Sequence, residues 1–207
     1  LNSTGYIFAN LGVSSILTIN FSGERYLLTV KQDRFDFGDS VTKLVSGYVD
    51  VTELLNPNTA ILREIREEVL PIDINGGLVE FYHQGEKLEN PYSKYFEKSS
   101  KLSLFLSEEE NFYQPLGLEQ NIFLSGKKII GNPSIYFHAP TNSAQLIFNY
   151  HFNTDDIFED FGITMHHSED KFQDGKLKTF LHPQGIYLIR LQDGDLTDCV
   201  AKIGRAH

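Results

Sequence analysis

Residues 47–70 read GYVDVTELLNPNTAILREIREEVL, and the fold follows from how the dense charge in REIREE (63–68) is understood. Asn56-Pro57 marks a helix start, because Asn accepts from orphan backbone N–H groups and Pro tolerates the first helical position. Leu70-Pro71 marks a stop, since a residue before proline is pushed out of the α region. Between them Ile61, Ile65 and Val69 recur every fourth residue and predict the buried stripe of a short helix. Glu64, Glu67 and Glu68 then share another face, because residues three and four apart are helix neighbours. Three carboxylates on one face repel, and a surface helix gains nothing from them unless a cation neutralises them. The plain alternative is a solvated Glu/Arg-rich helix whose Arg63–Glu67 pair contributes roughly 0.2–0.5 kcal/mol.

The preceding stretch bears on that choice. Two strand-like runs, SILTIN (15–20) and YLLTV (26–30), flank a Ser22-Gly23 turn and predict a hairpin ending in Lys31-Gln32. Residues 31–42 are polar and read as irregular. They lead to a glycine-containing loop at Ser46-Gly47 and a short strand over 48–51, with Glu53 ahead of the helix.

In this order the chain resembles the Nudix hydrolase family. The family signature runs Gly, five residues, Glu, seven residues, Arg-Glu, an aliphatic, any residue, Glu-Glu, any residue, Gly, then an aliphatic. Gly47, Glu53, Arg63, Glu64, Ile65, Glu67 and Glu68 follow it in sequence. The chain departs at the edges: the spacer 54–62 is two residues longer, Leu70 stands for the closing Gly, Pro71 for the last aliphatic, and Ser46 for the first glycine of a Gly-Gly pair. The extra spacer residues fit a loop at Asn56-Pro57-Asn58. The resemblance covers residues 12–75.

It implies an α+β fold, a Nudix-like α/β/α sandwich around a mixed sheet, β-rich here, with an insertion over about 84–133. The whole of 1–207 is then one domain. The family's second helix has two candidates, DDIFEDFG (155–162) and LTDCVAKI (196–203).

The resemblance also implies chemistry. A phosphoanhydride resists attack because its oxygens are negative, and hydrolysis needs charge neutralisation and an activated water. Mg²⁺ or Mn²⁺ suits hard oxygen ligands and lowers the pKa of bound water. Glu64, Glu67 and Glu68 are the implied ligands, with the backbone carbonyl of Ser46, a role indifferent to the side chain. Arg63 would hold Glu53 and the loop in register. Glu53, or a carboxylate among Glu108, Glu109 and Glu110, would be general base or support the ligands. The implied substrate is a small-molecule nucleoside diphosphate linked to another group. The alternative is a non-catalytic Nudix-like module that binds a nucleotide or partner. A third reading is a β-rich interaction protein whose REIREE helix is coincidental.

Composition sets the outer bounds. At 207 residues and 23.6 kDa, with 41% hydrophobic residues, the chain can bury a substantial core. A net charge of −10 and a pI near 5.1 oppose general nucleic-acid or anionic-membrane binding, which calls for a basic face. No apolar run approaches the length of a membrane span, and no signal-peptide pattern opens the chain. The single Cys199 rules out an intramolecular disulfide and fits a reducing, cytoplasmic setting. Oligomeric state is open, a homodimer included.

Downstream, Asn75-Gly76-Gly77 predicts a turn and LVEFYH (78–83) a strand. Residues 86–99 read as a loop, and 101–107, 134–138, 144–152 and 185–192 as strands. Residues 1–9 read as a leader with one extended piece at Tyr6-Ile7-Phe8. Asp155–Asp160 are a further acidic candidate. His166-His167-Ser168-Glu169-Asp170 invites a metal reading, but adjacent residues point to different sides, so an exposed polar loop is expected. Residues 198–207 read as a short terminal helix or frayed tail.

Overall fold

The computed structural model describes residues 10–34, 39–109, 123–124, 127–128, 133–138, 143–153, 162–173, 176–182, 185–192 and 195–202. In chain order the elements are β1 (Leu11–Phe21), β2 (Glu24–Arg34), β3 (Asp39–Lys43), β4 (Val45–Tyr48), a 3-10 turn at Val51–Glu53, α1 (Pro57–Glu68) and β5 (Val69–Ile72). Then come β6 (Leu78–His83), β7 (Glu86–Leu88), a 3-10 turn at Ser93–Tyr95, β8 (Ser99–Glu108), β9 (Phe123–Leu124), β10 (Lys127–Lys128) and β11 (Ser134–His138). The chain continues through β12 (Ser143–Phe152), β13 (Thr164–Gln173), β14 (Lys176–His182), β15 (Ile186–Gln192) and β16 (Asp195–Lys202). The fold is mixed α+β and mostly strand, with α1 the one α-helix among the described residues.

One curled sheet carries most of it, in the order β14-β13-β5-β6-β8-β12-β1-β2-β15-β16, with β3, β4, β7 and β11 attached at its sides. β1 with β12 and β6 with β8 run parallel, and the remaining pairs are antiparallel. β13, near one end, also approaches β15, near the other. The hairpin β1–β2 closes through Ser22 and Gly23, both at positive φ (50° and 70°). That is the turn whose twist matches paired strands.

α1 packs against β4 and β1 and also against β5 and β13, so it bridges parts of the sheet distant in strand order. The expected stripe is buried completely: Ile61, Ile65 and Val69 are all at 0% exposure. Val13, Leu17, Val45 and Met165 join them in the core. Burying each isoleucine contributes about 1.5–3 kcal/mol. No helix among the described residues is long and apolar enough to cross a membrane.

Several expectations are corrected. Residues 31–34 and 39–43 are not irregular but pair as β2 and β3. Ser46-Gly47 lies inside β4, paired with β1, rather than in a loop, and the chain bends into a 3-10 turn where a strand to residue 51 was expected. The loop 86–99 contains β7 and the turn at Ser93–Tyr95. Residues 166–170 form part of β13, with His167 only 2% exposed. Residues 195–202 are strand β16, which removes LTDCVAKI as a helix. Strand there completes the hairpin with β15. The leader and Asp155–Asp160 lie outside the described residues.

Asn56 stands at the helix N-cap position, yet its side chain makes no capping bond. Pro57 begins α1 as expected. At the other end the chain passes straight from Glu68 into β5, with Leu70 fully buried and Pro71 paired with Met165.

Candidate functional site

The site is built where β4 meets α1. Val13 of β1 is paired with Gly47 of β4, so Gly47 faces the core side, where α1 lies. A Cβ on Gly47 would stand 2.1 Å from Cδ and Oε1 of Glu64. Only glycine permits that approach while Glu64 stays in place. Two residues of the sequence motif, seventeen positions apart in chain number, are therefore in direct contact.

Arg63 ties the rest together. Its Nε donates to Glu53 Oε1 at 3.0 Å and its Nη2 to Glu53 Oε2 at 3.1 Å. Nη2 also donates to the Tyr48 carbonyl at 3.1 Å, while Nη1 reaches Glu64 Oε1 at 2.6 Å and Glu67 Oε2 at 3.1 Å. Glu53 is itself placed by the 3-10 turn, where Asp50 N–H donates to Glu53 Oε2 at 3.0 Å and Thr52 N–H to Asp50 Oδ1 at 3.2 Å. Only Leu54, Leu55 and Asn56 lie between the 3-10 turn and α1: Pro57 and Asn58, expected in a loop, are instead the first residues of the helix, because proline suits its first turn.

Glu68 belongs to a second, adjoining group. Its Oε2 accepts from the Ser46 N–H at 3.2 Å, and its Oε1 accepts from Lys43 Nζ at 2.8 Å. The same ammonium donates to the Ser46 carbonyl and Oγ, both at 3.3 Å. Behind the helix end, Ser168 Oγ donates to the Glu67 carbonyl and His167 Nδ1 pairs with the Glu68 carbonyl at 3.0 Å. These β13 side chains take up terminal carbonyls that a helix otherwise leaves open.

Burial sets the electrostatics. It pushes the Glu64 carboxyl up against the pull of Arg63, and the Glu68 carboxyl up against the pull of Lys43. Glu67 is raised first by burial and then by repulsion from Glu64. Glu53 goes the other way, held low by its hydrogen bonds from Arg63. Arg66 makes no hydrogen bond to the cluster, donating instead to the Leu62 carbonyl at 3.0 Å and the Glu89 carbonyl at 2.5 Å, though its charge still pulls the Glu67 pKa down. Four carboxylates thus meet the hydrogen-bonding cations Arg63 and Lys43, with Arg66 a third positive charge nearby, and the half-buried cluster is left net negative.

The group has the donor chemistry of a divalent-ion site but not its geometry. All the donors are hard oxygens, which suit Mg²⁺ or Mn²⁺. The Ser46 carbonyl and Glu68 Oε1 already converge on one cation, the Lys43 ammonium. Glu64 and Glu67 converge instead on Arg63. Among the described residues, no three His, Cys, Asp or Glu side chains converge closely enough to hold one ion.

The other acidic and histidine candidates are placed elsewhere. Glu109 pairs with Arg25 and accepts from Thr18 Oγ1 at 3.1 Å. Thr18 lies between the core residues Leu17 and Ile19 on β1, so this group leaves the sheet on the face away from α1. Glu108 faces His83 at 3.4 Å. Glu110 lies outside the described residues. His166 contacts Thr164 Oγ1 at 3.1 Å, with burial lowering its imidazole pKa, while His167 supports the helix end. The two adjacent histidines have different partners.

Lys43 and Asp50 escaped the sequence reading, and His167 and Ser168 were read as part of an exposed polar loop rather than as supports of the helix end. For Asp50 a signal existed: Asp-x-x-Glu is a capping box. No family model, curated protein or solved structure matches the chain.

Proposed function

We propose that the chain is a divergent Nudix-type hydrolase. It cleaves a phosphoanhydride in a nucleoside diphosphate linked to another moiety, and its curled sheet with α1 is a β-rich variant of the Nudix sandwich. The observation that carries this reading is the connected cluster of motif residues. Gly47 abuts Glu64, and Arg63 joins Glu53 to Glu64, Glu67 and the Tyr48 carbonyl. A solvated ion-pair helix has no use for a glycine cleared to admit one of its carboxylates, nor for carboxyls buried enough to have their pKa values raised.

To hold Mg²⁺ or Mn²⁺, the Ser46 carbonyl, Glu64, Glu67 and Glu68 would have to be drawn together from the two cations they now meet. The ion would supply charge neutralisation to the phosphate oxygens and acidify water. The chain's own residues do the positioning. Arg63 keeps Glu64 and Glu67 from repelling each other apart, and Glu53 keeps Arg63 in place. Glu53 is a positioning residue rather than a base: both its oxygens accept from Arg63, which holds its pKa low, and Glu108 and Glu109 are likewise engaged with other partners.

The test is turnover of a panel of nucleotide sugars, dinucleoside polyphosphates, ADP-ribose and nucleoside triphosphates, with Mg²⁺ and with EDTA. Hydrolysis of one class that EDTA abolishes supports the reading, and equal turnover in EDTA rules it out. A second reading, a Nudix-like binding module, draws on the contacts of Lys43 with Ser46 and Glu68. It predicts that nucleotides raise the melting temperature without product formation.

A further inference from the structure

We propose that the cleft between the β5–β6 turn and the start of β8 is a binding site for a small aliphatic carboxylate. Where β6 and β8 run parallel, Leu78 pairs with Ser99 and Glu80 with Ser103, so Ser100, Lys101 and Leu102 stand opposite Val79 alone. Extra residues in one strand bend it and re-aim its side chains, and such bulges recur beside binding sites. Beside this bulge lies a cleft of about 410 Å³, walled on its other side by the turn that carries Asp73 and Gly77. That volume is within the range of small-molecule sites. Gly77 lets the bulge come close: a Cβ there would stand 2.9 Å from the Ser100 backbone nitrogen. None of the residues lining the cleft belongs to the β4–α1 cluster.

The lining decides the ligand. Lys98 and Lys101 both line the cleft and enter no ion pair among the described residues, whereas Lys43, Lys87 and Arg190 each meet a carboxylate within 2.8 Å. On a chain of net charge −10, two ammonium groups left over at one cleft are a local reversal of sign. The one carboxylate of the lining is Asp73. Its Oδ1 accepts from the Asn75 and Gly77 N–H groups at 2.8 Å each. The Ser100 hydroxyl and those N–H groups hold its pKa below the ordinary value, with a smaller pull from the Lys98 charge. Asp73 is therefore ionised and already satisfied, and two ammonium groups against one carboxylate leave a single positive charge to balance. A monoanion balances it. Ile74, 80% exposed, and Leu102 add apolar surface to the same lining, and covering such surface removes it from water. A carboxylate on a short hydrocarbon chain offers a head for the lysines and a body for Ile74 and Leu102.

Hexanoate is the probe. In a proton–nitrogen NMR titration of the full chain, sodium hexanoate should move the amide signals of Gly77, Ser100 and Leu102 saturably and leave those of Tyr48 and Glu64 in place. Uncharged 1-hexanol should bind at least about tenfold more weakly, the loss of a charge-assisted contact. Hexyl phosphate, at a pH where it is doubly charged, should bind no more tightly than hexanoate. The double variant Lys98→Met, Lys101→Met should also weaken hexanoate at least about tenfold. Ile74→Asp, which adds a second carboxylate to the cleft, should abolish saturable binding. All three positions are exposed, so the remaining signals of each variant should overlay those of wild type, and the loss then reads the cleft and not the fold. Lys87→Met removes a lysine already paired with Glu80 and should change affinity by less than about twofold. Absence of saturable binding, shifts that cluster elsewhere, hexanol binding as well as hexanoate, or lysine variants that bind like wild type would each overturn the site. Tighter binding of hexyl phosphate would overturn its assignment to a carboxylate. The hydrolase reading is untouched by any of these results.

Discussion

Arg63 meets Glu53 through two parallel hydrogen bonds, Nε to Oε1 at 3.0 Å and Nη2 to Oε2 at 3.1 Å, across a chain separation of ten residues. A planar guanidinium makes this fork and an ammonium does not. Arg63→Lys keeps the charge near Glu64 and Glu67 but loses the second bond to Glu53 and the bond to the Tyr48 carbonyl. The expected cost is about 1–3 kcal/mol of stability, read as a lower urea midpoint, with at least a tenfold fall in metal-dependent turnover. A variant as stable and active as wild type would reduce Arg63 to an ordinary surface charge.

Gly47→Ala addresses the other contact. The new methyl would overlap Glu64 Cδ, and the carboxylate must move because the β4 backbone is paired to β1. Stability should change little, since the end of a side chain gives way rather than the backbone. Mn²⁺ affinity, followed by titration calorimetry, should fall at least tenfold. Unchanged affinity would mean that Glu64 takes no part in holding the ion.

How legible this was varied with distance along the chain. The helix start could be placed to the residue and its end to within two, with Val69 and Leu70 beginning β5 instead, because the Ile61–Ile65 recurrence and the flanking prolines are local signals. The hairpin was equally open, through Ser22-Gly23. The partners that complete the site were not. Lys43 reaches Glu68 across 25 positions, and His167 and Ser168 reach the helix end across 99 and 101. No periodicity connects them, and HHSED looks like a polar loop until its pairing with β5 and β14 is known. The strands at 39–43 and 195–202 were missed for the same reason, since edge strands carry polar residues and take their conformation from a neighbour's ladder.

The pH dependence of stability follows from Glu68, whose carboxyl burial raises above its ordinary value near 4.5. Between those two values the folded state binds more protons than the unfolded one, so stability falls as pH rises through that window. Glu68→Gln removes the titration. In EDTA the variant should be more stable than wild type at pH 7–8, and the gap should close as pH falls toward about 4.5. Urea unfolding across that range checks the sign. Adding Mg²⁺ should reverse the order at neutral pH, because only the wild type has the full carboxylate set.

Ser168→Ala isolates the support of the helix end. Ser168 is 3% exposed and its hydroxyl is donated to the Glu67 carbonyl. Removing it strands a buried acceptor at a cost of about 1–3 kcal/mol. The urea midpoint should drop with an unchanged slope, the mark of a stability change rather than a change in compactness. Metal affinity should fall as well, since the carbonyl it holds belongs to Glu67 and the next residue is Glu68.

Glu67→Gln separates chemistry from architecture. The amide keeps the shape of the side chain and can present its oxygen to Arg63 Nη1, which now lies 3.1 Å from the carboxylate. It also relieves the repulsion from Glu64 that helps raise the Glu67 pKa, so the melting temperature should hold or rise slightly. What it cannot replace is a negative hard-oxygen ligand. Turnover of the hydrolysed substrate should therefore fall by about 100-fold or more, roughly 3 kcal/mol of transition-state stabilisation, at any Mg²⁺ concentration. A variant that folds as well as wild type and turns over at the wild-type rate would remove Glu67 from the ion-binding set and leave the cluster without a catalytic role.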